Sequence, residues 1–212
     1  MKALIIGATG ATGKDLVDAL LQDPAWTEVV AFVRRSSGRE HRGYTEVLTD
    51  FDKLGDVSES ITGDVWFSCL GTTAKAAGTK EKQWHIDHDI PLEFARIARR
   101  NGIPRAVVLS AYGASSTSRV FYSRMKGSLD DAILQLGFPT CLIFRPGFLL
   151  RRDTDRPAER IIAVGLKFLN SLGLLRKFRP LPTQTLAGKM AEAAKARRAG
   201  TLVFALDEIF GI

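Results

Sequence analysis

Cysteine is scarce in this 212-residue chain: there are two, Cys69 and Cys141, too few for a disulfide framework. Each sits in an apolar, strand-like run and reads as a small buried hydrophobe. Long apolar stretches are missing too; none approaches the roughly 18 to 20 residues of a membrane span. The sequence has no internal repeat, no linker and no low-complexity segment. Neither zinc-finger spacing nor an aromatic-rich RNA motif is present, so sequence-specific nucleic-acid binding is not expected. His85 and His88 stand three apart with no convincing third ligand, and they read as surface residues with no metal. Met1 leads directly into the first strand pattern, with no signal or transit peptide ahead of it. With the cysteine usage, this suggests a cytoplasmic location.

The charge is unevenly placed. Residues 1 to 150 carry 18 Lys+Arg against 17 Asp+Glu, and residues 151 to 212 carry 12 against 6, so six of the net seven positive charges lie in the last third. Solvated surface is the plain reading of Arg151, Arg152, Arg156, Arg160, Arg176, Lys177, Arg179, Arg197 and Arg198. A basic rim beside a phosphate-bearing ligand is the other.

What is present is concentrated in residues 1 to 14. Ala3 to Ile6 is a short apolar run of the kind that fills a strand buried on both faces. Gly7, Gly10 and Gly13 follow at three-residue spacing. Asp15 to Leu21 then places Leu16, Val17, Leu20 and Leu21 at helical intervals. The pattern is strand, tight glycine turn, helix. A helix opening at such a turn presents unpaired N–H groups and a positive dipole end, and glycine lets a diphosphate approach the backbone. A Walker A loop is excluded: it needs glycine at Ala8 and a hydroxyl residue at Asp15.

Further along, strand-like and helix-like runs alternate, as in a parallel sheet covered by helices on both faces. Strands are expected at Val29 to Val33, Tyr44 to Leu48, Asp64 to Leu70, Ala106 to Leu109, Thr140 to Phe144 and Thr201 to Leu206. Helices are expected at Ile90 to Arg100, capped by Asp89 and ended by Asn101-Gly102, at Tyr122 to Leu136, at Ala158 to Asn170 and at Thr183 to Arg198. Ala74 to Lys82 reads as a mobile loop beside the ligand. The expectation is one α/β domain over residues 1–212: a Rossmann-like, doubly wound parallel sheet in which residues 148–200 supply a small substrate-side part. Trp66 reads as core, and so do Phe168, Leu169 and Leu172.

Two constellations carry chemistry. At the end of the second strand, where an acid would select NAD, the chain has Arg34-Arg35-Ser36-Ser37 and no acid before Glu40. Guanidinium suits a 2′-phosphate, so NADP (as NADPH) is expected over NAD. Tyr122 and Lys126 stand four apart on a helix and share a face. A lysine ammonium beside a phenol favours phenolate, which equips the tyrosine to exchange a proton at a carbonyl or alcohol oxygen.

These features occur in the order Gly7 to Gly13, Arg34-Arg35, Cys69-Leu70-Gly71-Thr72-Thr73, Leu109 to Ala114, Tyr122 to Lys126 and Phe144-Arg145-Pro146-Gly147. That order resembles the short-chain dehydrogenase/reductase superfamily over nearly the whole chain. More narrowly it resembles the atypical, NADPH-linked branch of Tat-interacting protein 2-like oxidoreductases. The resemblance implies roles. Gly7, Gly10 and Gly13 would lie at the pyrophosphate, with Thr9, Ala11 and Thr12 as nearby contacts. Arg34 would meet the 2′-phosphate, Asp50 and Phe51 would flank adenine, and Leu70, Gly71 and Thr72 would wall the groove. Tyr122 would be the general acid/base. Lys126 would lower its pKa and bond the nicotinamide ribose, and Pro146 and Gly147 would lie at the nicotinamide amide. Ser110, after the fifth strand, either helps polarise the substrate oxygen or only bonds backbone. Asp87 matches a position that tethers the fifth-strand region.

The function implied is an NADPH-dependent oxidoreductase that passes hydride to a small carbonyl substrate, with a homodimer as a further expectation. A dinucleotide-sensing module that binds a protein partner is the alternative, as is a sugar-nucleotide epimerase-like enzyme, for which the short C-terminal part leaves little room.

Overall fold

The computed structural model describes residues 1–151, 179–196 and 199–212. The expected helix Ala158 to Asn170, Phe168, Leu169 and Leu172, most of the 148–200 substrate-side part and most of the C-terminal arginines lie outside the described residues. Seven parallel strands form one sheet: β1 (Lys2–Ile6), β2 (Glu28–Val33), β3 (Tyr44–Leu48), β4 (Val65–Ser68), β5 (Arg105–Leu109), β6 (Thr140–Arg145) and β9 (Gly200–Ala205), in the order β3-β2-β1-β4-β5-β6-β9. A second parallel pair, β7 (Leu149–Leu150) with β8 (Leu181–Pro182), stands apart from it. This is the expected Rossmann-like fold.

Alternation along the central strands divides the core into two layers. Ala3 and Ile5 of β1 enter one cluster with Leu16, Val17 and Leu20 of helix α1 (Ala11–Gln22) and with Leu186 and Met190 of helix α6 (Thr183–Lys195). Leu4 and Ile6 enter the other, with Phe94 and Ile97 of helix α4 (Ile90–Arg100) and Leu129 and Ile133 of helix α5 (Phe121–Gln135). β1 therefore faces helices on both sides and has to be apolar throughout. Each fully buried Leu or Ile contributes about 1.5–3 kcal/mol to this packing. Trp66 is fully buried as expected, stacked with Phe94 at 5.8 Å and Phe138 at 6.2 Å.

Three local expectations change. Ala74 to Lys82 is no plain loop: it forms two short helical turns, α2 (Ala74–Ala77) and α3 (Lys80–Trp84). Thr73 accepts from the Ala76 N–H at 3.1 Å and Thr79 from the Lys82 N–H at 3.2 Å, so two threonine caps start helices that the small, polar composition concealed. Asp89 does not cap α4. It is helical itself, because a single π turn, His85–Asp89, joins α3 to α4 without a break. α1 starts at Ala11, four residues earlier than the apolar spacing implied, since the glycine turn feeds directly into it.

The sheet order reverses between β1 and β4. Strands beyond β1 run one way and strands beyond β4 the other, so the loops at their carboxyl ends diverge and leave a crevice. The glycine turn after β1 and the loop after β4 border that crevice.

Candidate functional site

The three glycines of the turn have separate duties. Gly7 has φ +79° and a Cβ there would lie 2.4 Å from the Cys69 carbonyl carbon; a Cβ on Gly13 would lie 2.0 Å from the Gly7 oxygen. Both glycines are therefore required for the turn to pack against β4 and the start of α1. Gly10 has an ordinary backbone and faces outward. Its N–H donates to the Gly7 oxygen at 3.0 Å, and its own oxygen accepts the first helical bond, from Lys14 at 2.9 Å. The first amides of α1 thus have no acceptor within the helix, and no acid occupies its first turn.

Gly10, Ala11 and Thr12 form one wall of a cleft of about 380 Å³. Leu70, Gly71 and Thr72 line it too, and so do Ser110, Tyr122 and Lys126. Seven expected cofactor contacts and all three expected catalytic residues thus meet in one cleft, Lys126 counting in both groups. Tyr122 and Lys126 are placed by successive turns of α5. The Tyr122 side chain is about two-fifths exposed, and Lys126 is buried.

Asp87 is the residue whose role the sequence did not convey. The π turn carries it into the same cleft, 1% exposed. Its Oδ1 accepts from the Thr72 N–H at 2.7 Å, whereas Oδ2 is buried with no hydrogen-bond partner. It therefore tethers the loop after β4, not the fifth-strand region. Burial pushes its carboxyl up to about 6 against the opposing pull of Lys126 and the Thr72 amide. Lys126 is pushed down by burial and held up by Asp87, Asp130 and Cys69. The Tyr122 phenol is raised, first by burial and next by the Asp87 charge, with Arg151 opposing. The carboxyl groups acting on the buried ammonium are thus Asp87 and Asp130, and the charges acting on the phenol are Asp87 and Arg151.

Ser110 also has a partner that sequence distance hid. Its hydroxyl donates to Asp130 Oδ2 at 2.8 Å, and the same oxygen accepts Arg145 Nε at 3.0 Å and Nη2 at 2.9 Å. Asp130 is fully buried, one turn beyond Lys126 on α5. Burial raises its carboxyl, against Ser110 and Arg145. The signal that would have found it is the four-residue row Tyr122, Lys126, Asp130.

A second cavity, about 580 Å³, lies at the carboxyl ends of β2 and β3 and is lined by Arg34, Asp50 and Phe51 together with His85, Ile86 and Ile90. The expected 2′-phosphate arginine and adenine pair thus come together. Thr9 instead lines a smaller pocket with Lys14, Ser37 and Arg39. Arg35 is exposed and lines none of these cavities; neither do Pro146 and Gly147. The Pro146 carbonyl accepts the Tyr112 N–H at 3.0 Å, and a Cβ on Gly147 would touch Leu206 at 3.0 Å. His85 bonds Asp52 at 2.7 Å and His88 bonds Asp89 at 2.8 Å.

Comparison with known proteins shows the family and the fold. Residues 7–162 match the model of a family described as NAD(P)H-binding. A curated relative, the mitochondrial protein fmp52 of Emericella nidulans, is 37% identical over 177 residues, which is 80% of this chain and 75% of that protein. Protein HTATIP2 of Rattus norvegicus is 35% identical over 173 residues, 79% of this chain and 70% of that protein. Among solved structures, MoeE5 in complex with UDP-glucuronic acid and NAD has the same fold, with TM-score 0.75 at 15% identity over 97% of this chain and 76% of that one. The fmp52 relatives are named as mitochondrial, including that of Eremothecium gossypii at 34% identity, and this overturns the cytoplasmic expectation. Scarce, free cysteines argue only against an oxidising compartment and do not separate one reducing compartment from another.

Proposed function

The chain belongs to the NAD(P)H-binding family, in the atypical branch of the short-chain dehydrogenase/reductase superfamily, and within it we propose an NADPH-dependent oxidoreductase that reduces a small carbonyl compound with Tyr122 as general acid. One observation carries this reading: Tyr122 and Lys126 line the same cleft as the outward face of the glycine turn.

The residues present fit a dinucleotide. Gly10 is exposed where a diphosphate would come close, no acid lies in the first turn of α1, and the neighbouring cavity holds an arginine for a 2′-phosphate. Ala11 and Thr12 would hold the diphosphate by their amides, Arg34 the 2′-phosphate, Asp50 and Phe51 the adenine, and Lys126 the nicotinamide ribose. When bound, the dinucleotide supplies the hydride. Tyr122 then donates its hydroxyl proton to the carbonyl oxygen. Burial and the Asp87 charge hold the phenol above its ordinary pKa, so its proton is in place for donation at neutral pH. Asp87 and Asp130 oppose the burial that lowers the Lys126 ammonium, and Lys126 would fix the orientation of what binds above it.

Titration with NADPH and NADH, followed by a screen of carbonyl compounds read by nicotinamide absorbance, tests the proposal. Tyr122→Phe is expected to bind NADPH as the wild type does while losing about 10²- to 10⁴-fold in turnover. Turnover that survives the substitution overturns the proposed acid. A chain that binds NADPH and a protein partner but shows no Tyr122-dependent turnover overturns the enzyme reading.

A further inference from the structure

The connection between β2 and β3 is tied down by one carboxylate. Glu46 lies in β3, opposite Ala31 of β2 in the parallel register. Ser36 Oγ donates to its Oε2 at 2.7 Å, and the Ser37 N–H donates to the same oxygen at 3.0 Å. The Ser37 hydroxyl donates to Oε1, as does the Tyr44 hydroxyl at 2.9 Å. Four donors from three residues thus converge on one side chain. Gly38 turns the chain at φ +71°, with its N–H on Ser36 Oγ at 3.1 Å. Arg39 then returns to α1, pairing with Asp18 at 2.5 Å and lying over the Tyr44 ring at 5.5 Å.

The consequence is a loop of fixed shape between two cavities. Arg34, at its start, lines the cavity that also holds Asp50 and Phe51. Ser37 and Arg39, at its end, line a pocket of about 270 Å³ that reaches Thr9 and Lys14 beside the glycine turn. In a dinucleotide lying from the turn to the adenine cavity, the adenosine ribose passes between these two points. The hydrogen bonds to Glu46 satisfy its charge, so an acid this close is spent on the loop and is not aimed at the ligand. Burial works against its ionisation, yet the bonds from Ser37, Ser36 and Tyr44 keep the carboxyl below its ordinary range.

We propose that Glu46 is the residue that determines cofactor specificity: by clamping Ser36 and Ser37 it pre-orders the Arg34–Arg39 loop for a 2′-phosphate, and so sets the preference for the phosphorylated dinucleotide. This rests on the NADPH reading above. Glu46 is a positioning residue, acting through the loop. A loop ordered before binding spares the ligand the cost of ordering it, and only the ligand that uses the loop gains.

Dissociation constants of NADPH and NADH for the wild type, Glu46→Gln and Glu46→Ala test this, with no substrate needed. In Glu46→Ala the preference for NADPH over NADH is expected to fall about tenfold, with NADH affinity unchanged, since freeing several side chains forfeits about that much. Glu46→Gln, which keeps one acceptor oxygen, is expected to fall between the two. General damage to the fold lowers both affinities together and leaves their ratio in place. A wild type that prefers NADPH and variants that keep the ratio overturn the clamp alone. A higher ratio in Glu46→Ala also overturns it, because Glu46 would then be repelling the phosphate. A wild type with no NADPH preference overturns the cofactor reading itself, and the clamp with it.

Discussion

Asp87→Asn isolates a carboxyl that the fold keeps out of water. The side chain is 1% exposed, one oxygen takes the Thr72 amide and the other has no partner. Burial raises the group from 3.8 to about 6. The folded state therefore binds the proton more tightly than the unfolded chain does. The stability this gives is complete below the unfolded pKa near 3.8, and it is lost as pH rises through about 6. At roughly 1.4 kcal/mol per pH unit, the loss amounts to about 3 kcal/mol. Asparagine keeps the Thr72 bond and never ionises, so the variant lacks this loss. The charged group that opposes the shift is Lys126, which is present in both proteins, so the difference between them isolates the carboxyl. Urea unfolding of both proteins at steps from pH 4 to pH 7.5 is the assay. Wild type minus variant is expected to fall by about 2.5 kcal/mol across that range, with most of the change between pH 4 and 6.5. A flat difference would refute the account of the buried, half-paired carboxyl.

Three further outcomes follow from the same geometry. Gly13→Ala drives a Cβ to 2.0 Å from the Gly7 oxygen and is expected to destabilise by about 2–3 kcal/mol or to abolish folding; Gly10→Ala, whose Cβ meets the same atom at 3.3 Å, is expected to fold and to bind the dinucleotide more weakly, as thermal melts and titrations of the pair would show. Ala11→Glu adds an acid to a first helical turn that has none, so it is expected to raise stability by about 0.5 kcal/mol while cutting dinucleotide affinity at least about tenfold. Equal effects on both quantities would count against the phosphate site. Asp130→Ala removes a fully buried acceptor of three hydrogen bonds and strands Arg145, which is expected to cost about 3–5 kcal/mol in urea unfolding.

The parts legible in the sequence were those fixed by neighbours along the chain. A strand buried on both faces has to be apolar at every position, so Ala3 to Ile6 was readable from its composition alone. The glycine turn was readable from its place between a strand pattern and a helix pattern, and Gly13 answers to Gly7 within the turn, although Gly7 itself answers to Cys69 in the loop after β4. Short helices were lost where the usual marks were faint. Thr73 and Thr79 are sound caps, but each starts barely one turn of chain that is otherwise small and polar. The π turn was lost for a different reason. It leaves the apolar spacing of α4 intact and shifts only what precedes it, so in the sequence Asp89 reads as a cap and nothing marks the inward rotation of Asp87.

The site separates along the same line. Tyr122 and Lys126 were found because one helix turn joins them, whereas the partner of Ser110 lies twenty residues away on that helix, and Arg145 fifteen further on. That partner changes what Ser110 is able to do. A hydroxyl has one proton. The Ser110 proton is given to Asp130 Oδ2, which also takes both Arg145 N–H groups, so only the serine lone pairs remain for the cleft. Ser110 is then an acceptor on the cleft lining, and Tyr122 is the hydroxyl with a proton to give. What sets the serine is a buried carboxylate outside the cleft lining, which the sequence places twenty residues away.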